Sequence, residues 1–407
     1  MSAGLEGELA IHVSATATHR VAKDAGPVSI RSTRPVRAAE VLAGRPLASV
    51  DHLLPRLFAL CGQAQWVAGM LAARAAQGEA TPEPLARAWG TLVLVETARE
   101  HALRALMDLP RLSGEPVGPA LRSVAHWVPR VSLALNPRDP GDSDLAGLVE
   151  VIDDIEATLA GPVFGVASGG LERLTQAADL ADWRRCARGP AGTWAEAIIA
   201  RGWASAGQCS APALSETDDG AIVQRLAGSG AARFVAEPEL PGSVPGGHAA
   251  TTPGRESTPL ARWRVHPLVQ EALSEAGDGL LSRVIARWLE LASIPQRLRI
   301  LWALAATDMW WPTGGPGALV HRQLSPGEGY AAVEAARGRL IHRVCLDGPT
   351  VTRYQILAPT EWNFHPRGVA ACALGRLTET SARARREQAE WLIHSVDPCV
   401  GFRLTLD

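Results

Sequence analysis

The stretch that indicates the fold most strongly is residues 334–363, which read EAARGRLIHRVCLDGPTVTRYQILAPTEWN. Two runs typical of strands, 340–345 and 351–357, flank an Asp347-Gly348 pair. An Asp-Gly pair between such runs is a strong hairpin signal, because both residues tolerate the backbone conformation that a tight turn requires. The stretch therefore predicts a β-hairpin with polar segments before and after it.

Helical patterns occupy much of the chain on either side of this hairpin. Apolar residues recur at spacings of three and four, as on one face of a helix. The segments with this spacing are 50–77, 82–108, 143–160, 267–304 and 379–395. We expect Asp142 or Ser143 to cap the third helix, and Thr380 or Ser381 to cap the last.

The remaining elements are small. Leu9, Ile11 and Val13 alternate with polar or small neighbours, which predicts a half-buried strand near the start of the chain. The fold class is therefore α+β, mainly α. Residues 217–256 are rich in Gly, Pro, Ser and Thr. We expect a flexible loop or insertion there, within a single domain of residues 1–407.

Composition excludes several classes of function. The chain has 407 residues, is 47% hydrophobic and carries a net charge of -2, whereas nucleic-acid surfaces normally need a basic excess. No run of about 18 apolar residues occurs, so no membrane insertion is expected. The N-terminus lacks the basic and apolar regions of a secretory signal, so we predict a cytoplasmic protein.

The cysteines are widely scattered and form no Cys-x-x-Cys pair. They are Cys61, Cys186, Cys209, Cys345, Cys372 and Cys399. This spacing indicates neither a disulfide framework nor a zinc ribbon. Any metal site must therefore be assembled from residues that are far apart in the sequence.

Five segments, taken in order, resemble the large subunit of nickel–iron hydrogenases. They are Leu5-Glu6-Gly7-Glu8-Leu9, Leu60-Cys61-Gly62-Gln63-Ala64, Glu100-His101, residues 334–363 and Ser395-Val396-Asp397-Pro398-Cys399. The fourth is the most specific, because Pro359-Thr360-x-Trp362-Asn363 is similar to the family's Pro-Thr-Thr-Trp-Asn and Arg337 lies correctly upstream. The resemblance implies a large-subunit-like helical bundle core with small β elements.

Two departures from the family pattern bear on activity. The family holds nickel and iron with two Cys-x-x-Cys pairs, and the second cysteine of each pair bridges the metals. Here Cys61 and Cys399 stand at the first positions, but Ala64 and Phe402 stand at the second. Two thiolates cannot hold both metals in that geometry. We therefore expect that the protein binds no nickel, has no hydrogenase activity and is not an enzyme.

The resemblance also assigns the residues around the metals. Arg337 and Thr360 stand where the family hydrogen-bonds the two cyanides of its iron. Glu6, Glu100 and Asp397 stand at acidic positions around the site. A role as helix cap or arginine partner is at least as good an interpretation of these three, and Asp397 could pair with Arg337.

This combination resembles the hydrogenase maturation proteins of the HupK/HoxV type, which are similar to large subunits with incomplete cysteine motifs. It implies a scaffold that holds an Fe(CN)2(CO) unit transiently through Cys61 and Cys399 before transfer. The implied partners are a small iron-carrying maturation chaperone and the precursor of a hydrogenase large subunit.

Three alternatives remain open on the sequence. The chain could be a metal-free mimic of the large subunit that binds maturation chaperones or the small subunit. It could be a degenerate electron-transfer subunit, like the hydrogenase-derived subunit of respiratory complex I. A cysteine hydrolase that pairs Cys61 with a histidine such as His101 is the most remote.

Overall fold

The structure is a computed structural model that describes most of the chain. The described residues are 7–14, 27–35, 37–58, 60–113, 120–167, 169–214, 219–229, 255–303 and 319–407. Of the predicted site residues, Glu6 lies outside them. No helix of the described ranges is both long and apolar enough to cross a membrane.

One sheet joins the two ends of the chain. Its strands are β1 (Glu8–Val13), β2 (Val28–Ser32) and β7 (Gly401–Leu406), in the order β2-β1-β7. β1 is antiparallel to β2 and parallel to β7, with Leu9 opposite Phe402. The predicted N-terminal strand is confirmed, and its three apolar side chains are buried.

A second sheet contains the predicted hairpin. It is an antiparallel meander of β3 (Leu319–Ser325), β4 (Glu328–Ala335), β5 (Gly338–Asp347) and β6 (Thr350–Leu357). The β5–β6 hairpin is confirmed: Asp347 pairs with Thr350, and Gly348 takes a φ of 54° in the turn. The hairpin ends lead directly into the segments that carried the family resemblance.

Helices make up most of the remaining structure. They are α1 (Ser49–Leu57), α2 (Gly62–Gln77), α3 (Glu83–Leu103), α4 (Leu109–Ser113), α5 (Leu121–Leu135), α6 (Leu145–Thr158), α7 (Gly170–Gln176), α8 (Leu180–Cys186), α9 (Pro190–Ala200), α10 (Asp219–Ser229), α11 (Pro259–Trp263), α12 (Pro267–Ala276), α13 (Leu280–Ala303), α14 (Pro359–Asn363), α15 (Val369–Leu374) and α16 (Ala382–Val396). Short π-helical turns follow α3 and α6.

The prediction of one helix over 50–77 is wrong in one respect. α1 ends at Leu57, Phe58 is extended, and α2 starts at Gly62 with Cys61 at its N-cap. The apolar spacing continues through this break, because the chain resumes with its apolar face toward the same core. The break matters because it takes Cys61 out of the helix interior.

Two other helix predictions need correction. The segment 267–304 is two helices, α12 and α13, because Gly277 takes a φ of 56° after α12. α6 is capped by Asp144, whose carboxylate accepts the N–H of Gly147, and not by Asp142 or Ser143. The cap of α16 by Ser381 is confirmed.

The segment predicted as a flexible insertion contains a helix. α10 lies within 217–256, and its Ile222 and Leu226 pack with Tyr330 and Ile341 on the second sheet. These apolar residues follow helical spacing, which the polar composition of the segment as a whole concealed. Residues 230–254 lie outside the described ranges. The single domain with this insertion stays a prediction.

The core forms around α13 and the second sheet. α2 packs on β3, β4 and β5, while α13 packs on α3, α11 and α12. α13 is buried on all sides, so its charged residues need partners in the interior. Arg283 pairs with Glu256, and Glu290 pairs with Arg262 and His101.

Candidate functional site

The predicted residues meet at a pocket where the α1–α2 break, the two ends of the hairpin and the C-terminal segment converge. The pocket has a volume of about 610 Å³, including solvent space at its open side. Its lining includes Cys61, Arg337, Thr360 and Cys399, with apolar walls from residues such as Phe58. Four residues predicted from the sequence thus share one cavity, although they come from three of the five segments that carry the resemblance.

Cys61 is held by the start of α2. The backbone N–H groups of Gln63 and Ala64 each donate to the Glu96 carboxylate at 2.9 Å, so α3 caps the helix that follows the cysteine. Burial raises the pKa of the Cys61 thiol, and the guanidinium of Arg337 only partly opposes this. Without a metal, Cys61 is therefore a protonated thiol.

Arg337 lies on the turn between β4 and β5 and is almost completely buried. Its Nη1 is 3.3 Å from the Cys61 sulfur, its Nη2 is 2.9 Å from Glu100, and its Nε is 3.3 Å from Asp397. Burial lowers the pKa of Arg337, but the facing carboxylates raise it well above its usual value. The pocket therefore contains a permanent positive charge.

A network that sequence reasoning missed fixes the turn carrying this arginine. Asn363 donates its Nδ2 to the backbone oxygen of Arg337 at 3.2 Å, and its Oδ1 accepts the N–H of Ser257 at 2.9 Å. The Ser257 hydroxyl accepts the N–H of Arg339 at 2.8 Å. Gly338 takes a φ of 130° against the Ser257 backbone, where no side chain would fit.

Thr360 and Cys399 form the opposite wall. Thr360 is the second residue of α14, and its Oγ1 accepts the N–H of Cys399 at 3.2 Å. A hydroxyl that accepts one bond still has a proton to donate, and Thr360 is part of the pocket lining. Cys399 is half-buried, and its nearness is one of the causes that raise the pKa of the Cys61 thiol.

Asp397 ends α16 in a left-handed conformation with a φ of 66°. Its carboxylate is 2.9 Å from Arg104 and 3.3 Å from Arg337. Burial raises the pKa of Asp397, but Arg104, Arg337 and Arg287 outweigh burial and hold the pKa below its usual range. Asp397 is thus an arginine partner, as one sequence interpretation held. Arg104 gave no signal in the sequence.

Glu100 and His101 face different groups. Glu100 accepts from both Arg99 and Arg337, whereas the Nε2 of His101 is 2.9 Å from Glu290. Among the described hydrogen bonds, none joins His101 to Cys61. The cysteine-hydrolase alternative therefore does not find its dyad in Cys61 and His101.

Neither position of the missing bridging cysteines contributes to the lining. Ala64 is buried in α2. The Phe402 ring on β7 packs edge-on against the His394 ring, with 5.5 Å between the ring centroids. Within the described part of the chain, no group of three or more His, Cys, Asp and Glu side chains is arranged to hold a metal ion. Among the described residues that line this pocket, the two thiols are those of Cys61 and Cys399.

The chain is similar to proteins named for hydrogenase formation. A family model for nickel-dependent hydrogenase matches residues 272–402. The hydrogenase expression/formation protein HoxV of Cupriavidus necator is 33% identical, over 92% of this chain and 91% of its own length. The chain belongs to the family of hydrogenase expression/formation proteins. HupK of Bradyrhizobium diazoefficiens, of the same name, is 31% identical over 89% of this chain and 88% of its own.

Solved structures show the fold of this hydrogenase expression/formation protein. The Ni-Fe-Se hydrogenase of Desulfovibrio vulgaris Hildenborough in the reduced state matches with a TM-score of 0.57 at 14% identity, covering 93% of this chain and 94% of that one. A reduced, active Ni-Fe-Se hydrogenase from Desulfomicrobium baculatum has a TM-score of 0.53 at 16% identity, covering 93% and 95%. The predicted hydrogenase-like α+β fold, mainly α, is confirmed.

Proposed function

We propose that this hydrogenase expression/formation protein is a maturation scaffold that transiently holds an Fe(CN)2(CO) unit through Cys61 and Cys399. The observation that supports this most directly is the shared pocket, into which two thiols from distant segments and the Arg337 guanidinium project. A metal-free mimic of a large subunit has no need for this arrangement.

The residues present suit this cargo. Thiolates are the soft ligands that such an iron centre accepts. The unit brings three diatomic ligands of its own, so two protein thiolates bring iron to five ligands without a third protein group. Binding it requires both thiols to lose their protons. A dithiolate dicyanide complex is anionic, and a buried anion is stable only beside donors and positive charge.

Arg337 and Thr360 supply these donors. The Nη1 of Arg337 faces the Cys61 sulfur, while its other nitrogens are held by Glu100 and Asp397. A guanidinium fixed on two sides presents its remaining N–H groups in one direction. The Thr360 hydroxyl, anchored by the Cys399 N–H, presents one more proton. These two donors would take the cyanide nitrogens.

Transient holding follows from what the pocket lacks. Without bridging thiolates at positions 64 and 402, the site keeps only two of the family's four thiolates and has no place for nickel beside the iron. The pocket is open at one side, next to the partly exposed Leu60. A small iron-carrying chaperone could load the unit there, and a hydrogenase large-subunit precursor could receive it, in the cytoplasm.

Infrared spectroscopy tests this proposal. The protein is purified anaerobically from cells that also express the other maturation proteins. We expect two cyanide bands and one carbonyl band, with loss of all three in Cys61→Ala and in Cys399→Ala. Cys345→Ala is the matched control, because Cys345 is equally half-buried on β5 but does not line the pocket.

Two results would overturn it. One is the absence of bands and of bound iron in preparations where an iron chaperone shows bands, which would favour the metal-free mimic. The other is retention of the bands in both pocket variants, which would exclude ligation by these two cysteines.

A further inference from the structure

A second pair of thiols lies together outside the pocket. Cys209, between α9 and α10, is only 3% exposed, and its sulfur is 3.5 Å from the backbone oxygen of Val369 at the start of α15. Cys372 is three residues further along α15, on the same side of that helix, and is half-buried. The chain stays beside the Cys209 segment as far as Arg376, whose Nη1 donates to the backbone oxygen of Gln208 at 2.7 Å, and Cys372 lies between these two contacts.

The surroundings give the two sulfurs different chemistry. The Cys209 sulfur faces two carbonyl oxygens, of Gly207 at 3.2 Å and of Val369, which accept an S–H and disfavour a thiolate. The neighbouring Cys209 thiol lowers the pKa of Cys372; burial opposes this, and Arg376 and Arg283 add to it. Cys372 is therefore the nucleophile of the pair and Cys209 its proton-bearing neighbour.

We propose that Cys209 and Cys372 are a redox modification site that forms a reversible disulfide. The oxidant is a small-molecule disulfide such as oxidised glutathione. The Cys372 thiolate attacks one sulfur of the oxidant, forming a mixed disulfide and releasing one glutathione thiolate. The Cys209 thiol then gives up its proton and attacks the Cys372 sulfur, releasing the second glutathione. Two protein thiols are oxidised and one glutathione disulfide is reduced to two thiols.

The bridge would connect two parts of the frame around the pocket. The N–H groups of Cys209 and Ala211 donate to the Asp278 carboxylate just before α13, so the Cys209 segment is fixed to that helix. α15 follows α14, which begins with the Thr360 wall of the pocket. In a reducing compartment, cysteines that form disulfides usually serve redox sensing or catalysis. A place in the frame around the pocket suits a pair with such a role. The inference does not depend on the iron proposal, since it concerns other residues.

The test uses the full-length, metal-free protein in buffers of stepped ratios of reduced to oxidised glutathione. Samples are quenched with acid, alkylated and mapped by mass spectrometry. We expect the free thiols to fall from six to four, with one cross-linked peptide pair that contains Cys209 and Cys372. Reduction should restore all six.

Single variants separate the two roles. Cys209→Ser should trap glutathione on Cys372, whereas Cys372→Ser should leave the buried Cys209 unmodified. Cys186→Ser, a half-buried cysteine elsewhere, should still form the cross-link. The proposal is overturned if all six thiols remain free in buffers that oxidise a reference dithiol, or if the wild-type cross-link joins other cysteines, Cys61 and Cys399 included. The absence of cyanide and carbonyl bands in the infrared experiment would not affect this result, because the disulfide involves other cysteines.

Discussion

At the scale of single residues, Arg337 connects the charges of the pocket. Each terminal nitrogen has its own contact, the Cys61 sulfur or Glu100, and Nε faces Asp397. Removing one member of a buried ionic group leaves the others uncompensated, and this usually costs more than the group contributes as a whole. The stability of the metal-free protein should therefore depend on this guanidinium.

Replacement of Arg337 by methionine tests that dependence. We expect Arg337→Met to lower the free energy of unfolding by about 3 kcal/mol, because two buried carboxylates lose a partner. Urea denaturation of the metal-free protein measures it. Arg403→Met is the control, since that side chain is 74% exposed where it pairs with Glu8 and should contribute less than about 1 kcal/mol. Equal losses in the two variants would contradict the prediction.

Glu96 gives the protein a pH dependence of its own. Burial raises the pKa of this carboxyl to about 7, although two backbone N–H groups oppose the shift. The native state therefore keeps a proton that the unfolded chain releases near pH 4.5, and stability falls as the pH rises through that window.

The variant Glu96→Gln should lose this dependence. Between pH 5 and pH 8, wild type should lose roughly 2 kcal/mol of unfolding free energy relative to the variant. Urea denaturation at both pH values provides the comparison. The control is Glu40→Gln, at an exposed carboxylate that pairs with Arg37. The difference in unfolding free energy between wild type and Glu40→Gln should be the same at both pH values. A constant difference between wild type and Glu96→Gln would show that Glu96 is already ionised at pH 5.

The site residues could be predicted only where they lie in contiguous motifs. Arg337 and Thr360 were found because short segments around the hairpin carry them. Ser257 and Glu96 were missed because they act on backbone groups 82 and 32 residues away, and a polar residue of that kind leaves no pattern in one sequence. Polar partners of this type are visible only in the fold.

At the scale of elements, the pocket is made at places where regular structure stops. Cys61 lies at the α1–α2 break, and Arg337 lies at the turn into β5. Apolar periodicity predicts the interior of a helix or strand well, because the apolar face repeats there. The same periodicity can continue across a short break, so it does not show where one element ends and the next begins. The candidate site residues were thus found by resemblance, while the breaks that place them at the pocket were not.

The turn into β5 depends on glycine. A Cβ on Gly338 would lie 1.6 Å from the Ser257 backbone oxygen, so Gly338→Ala should lose more than about 4 kcal/mol or fail to fold. Gly348, at the other end of the same strand, also has a positive φ but has nothing within 4 Å of that position. Gly348→Ala should lose only about 1 kcal/mol. Soluble yield and urea denaturation compare the two, and similar losses would show that the contact with Ser257 is not what requires glycine.

At the scale of the whole molecule, the chain closes on itself. β7 lies beside β1, so the last residues complete the sheet that the first residues begin, and Cys399 immediately precedes that strand. Helical content and the hairpin followed from local sequence. This pairing did not, because nothing local links strands almost 400 residues apart.

Removal of 401–407 should therefore affect the pocket from a distance. A chain ending at Val400 loses the β1–β7 ladder and the buried Leu404, and we expect a loss of several kcal/mol or no folded protein. Thermal unfolding and the reactivity of Cys399 toward alkylation measure it. Removal of Asp407 alone, which breaks an exposed contact with His12 and one long backbone hydrogen bond to Val13, should change stability by less than about 1 kcal/mol. A stable Val400 chain with an unreactive Cys399 would show that β7 does not position that cysteine.

The parallel pairing of the first and last strands also bears on synthesis. While the ribosome is elongating the chain, β1 has been made but one of its edges has no neighbour, and an unpaired strand edge invites association with other chains. The second thiol of the pocket and its supporting strand lie almost 400 residues after β1 in the chain. The pocket with both of its thiols is therefore expected to form only after β7 has been translated, and any factor that protects the open edge of β1 must act before then.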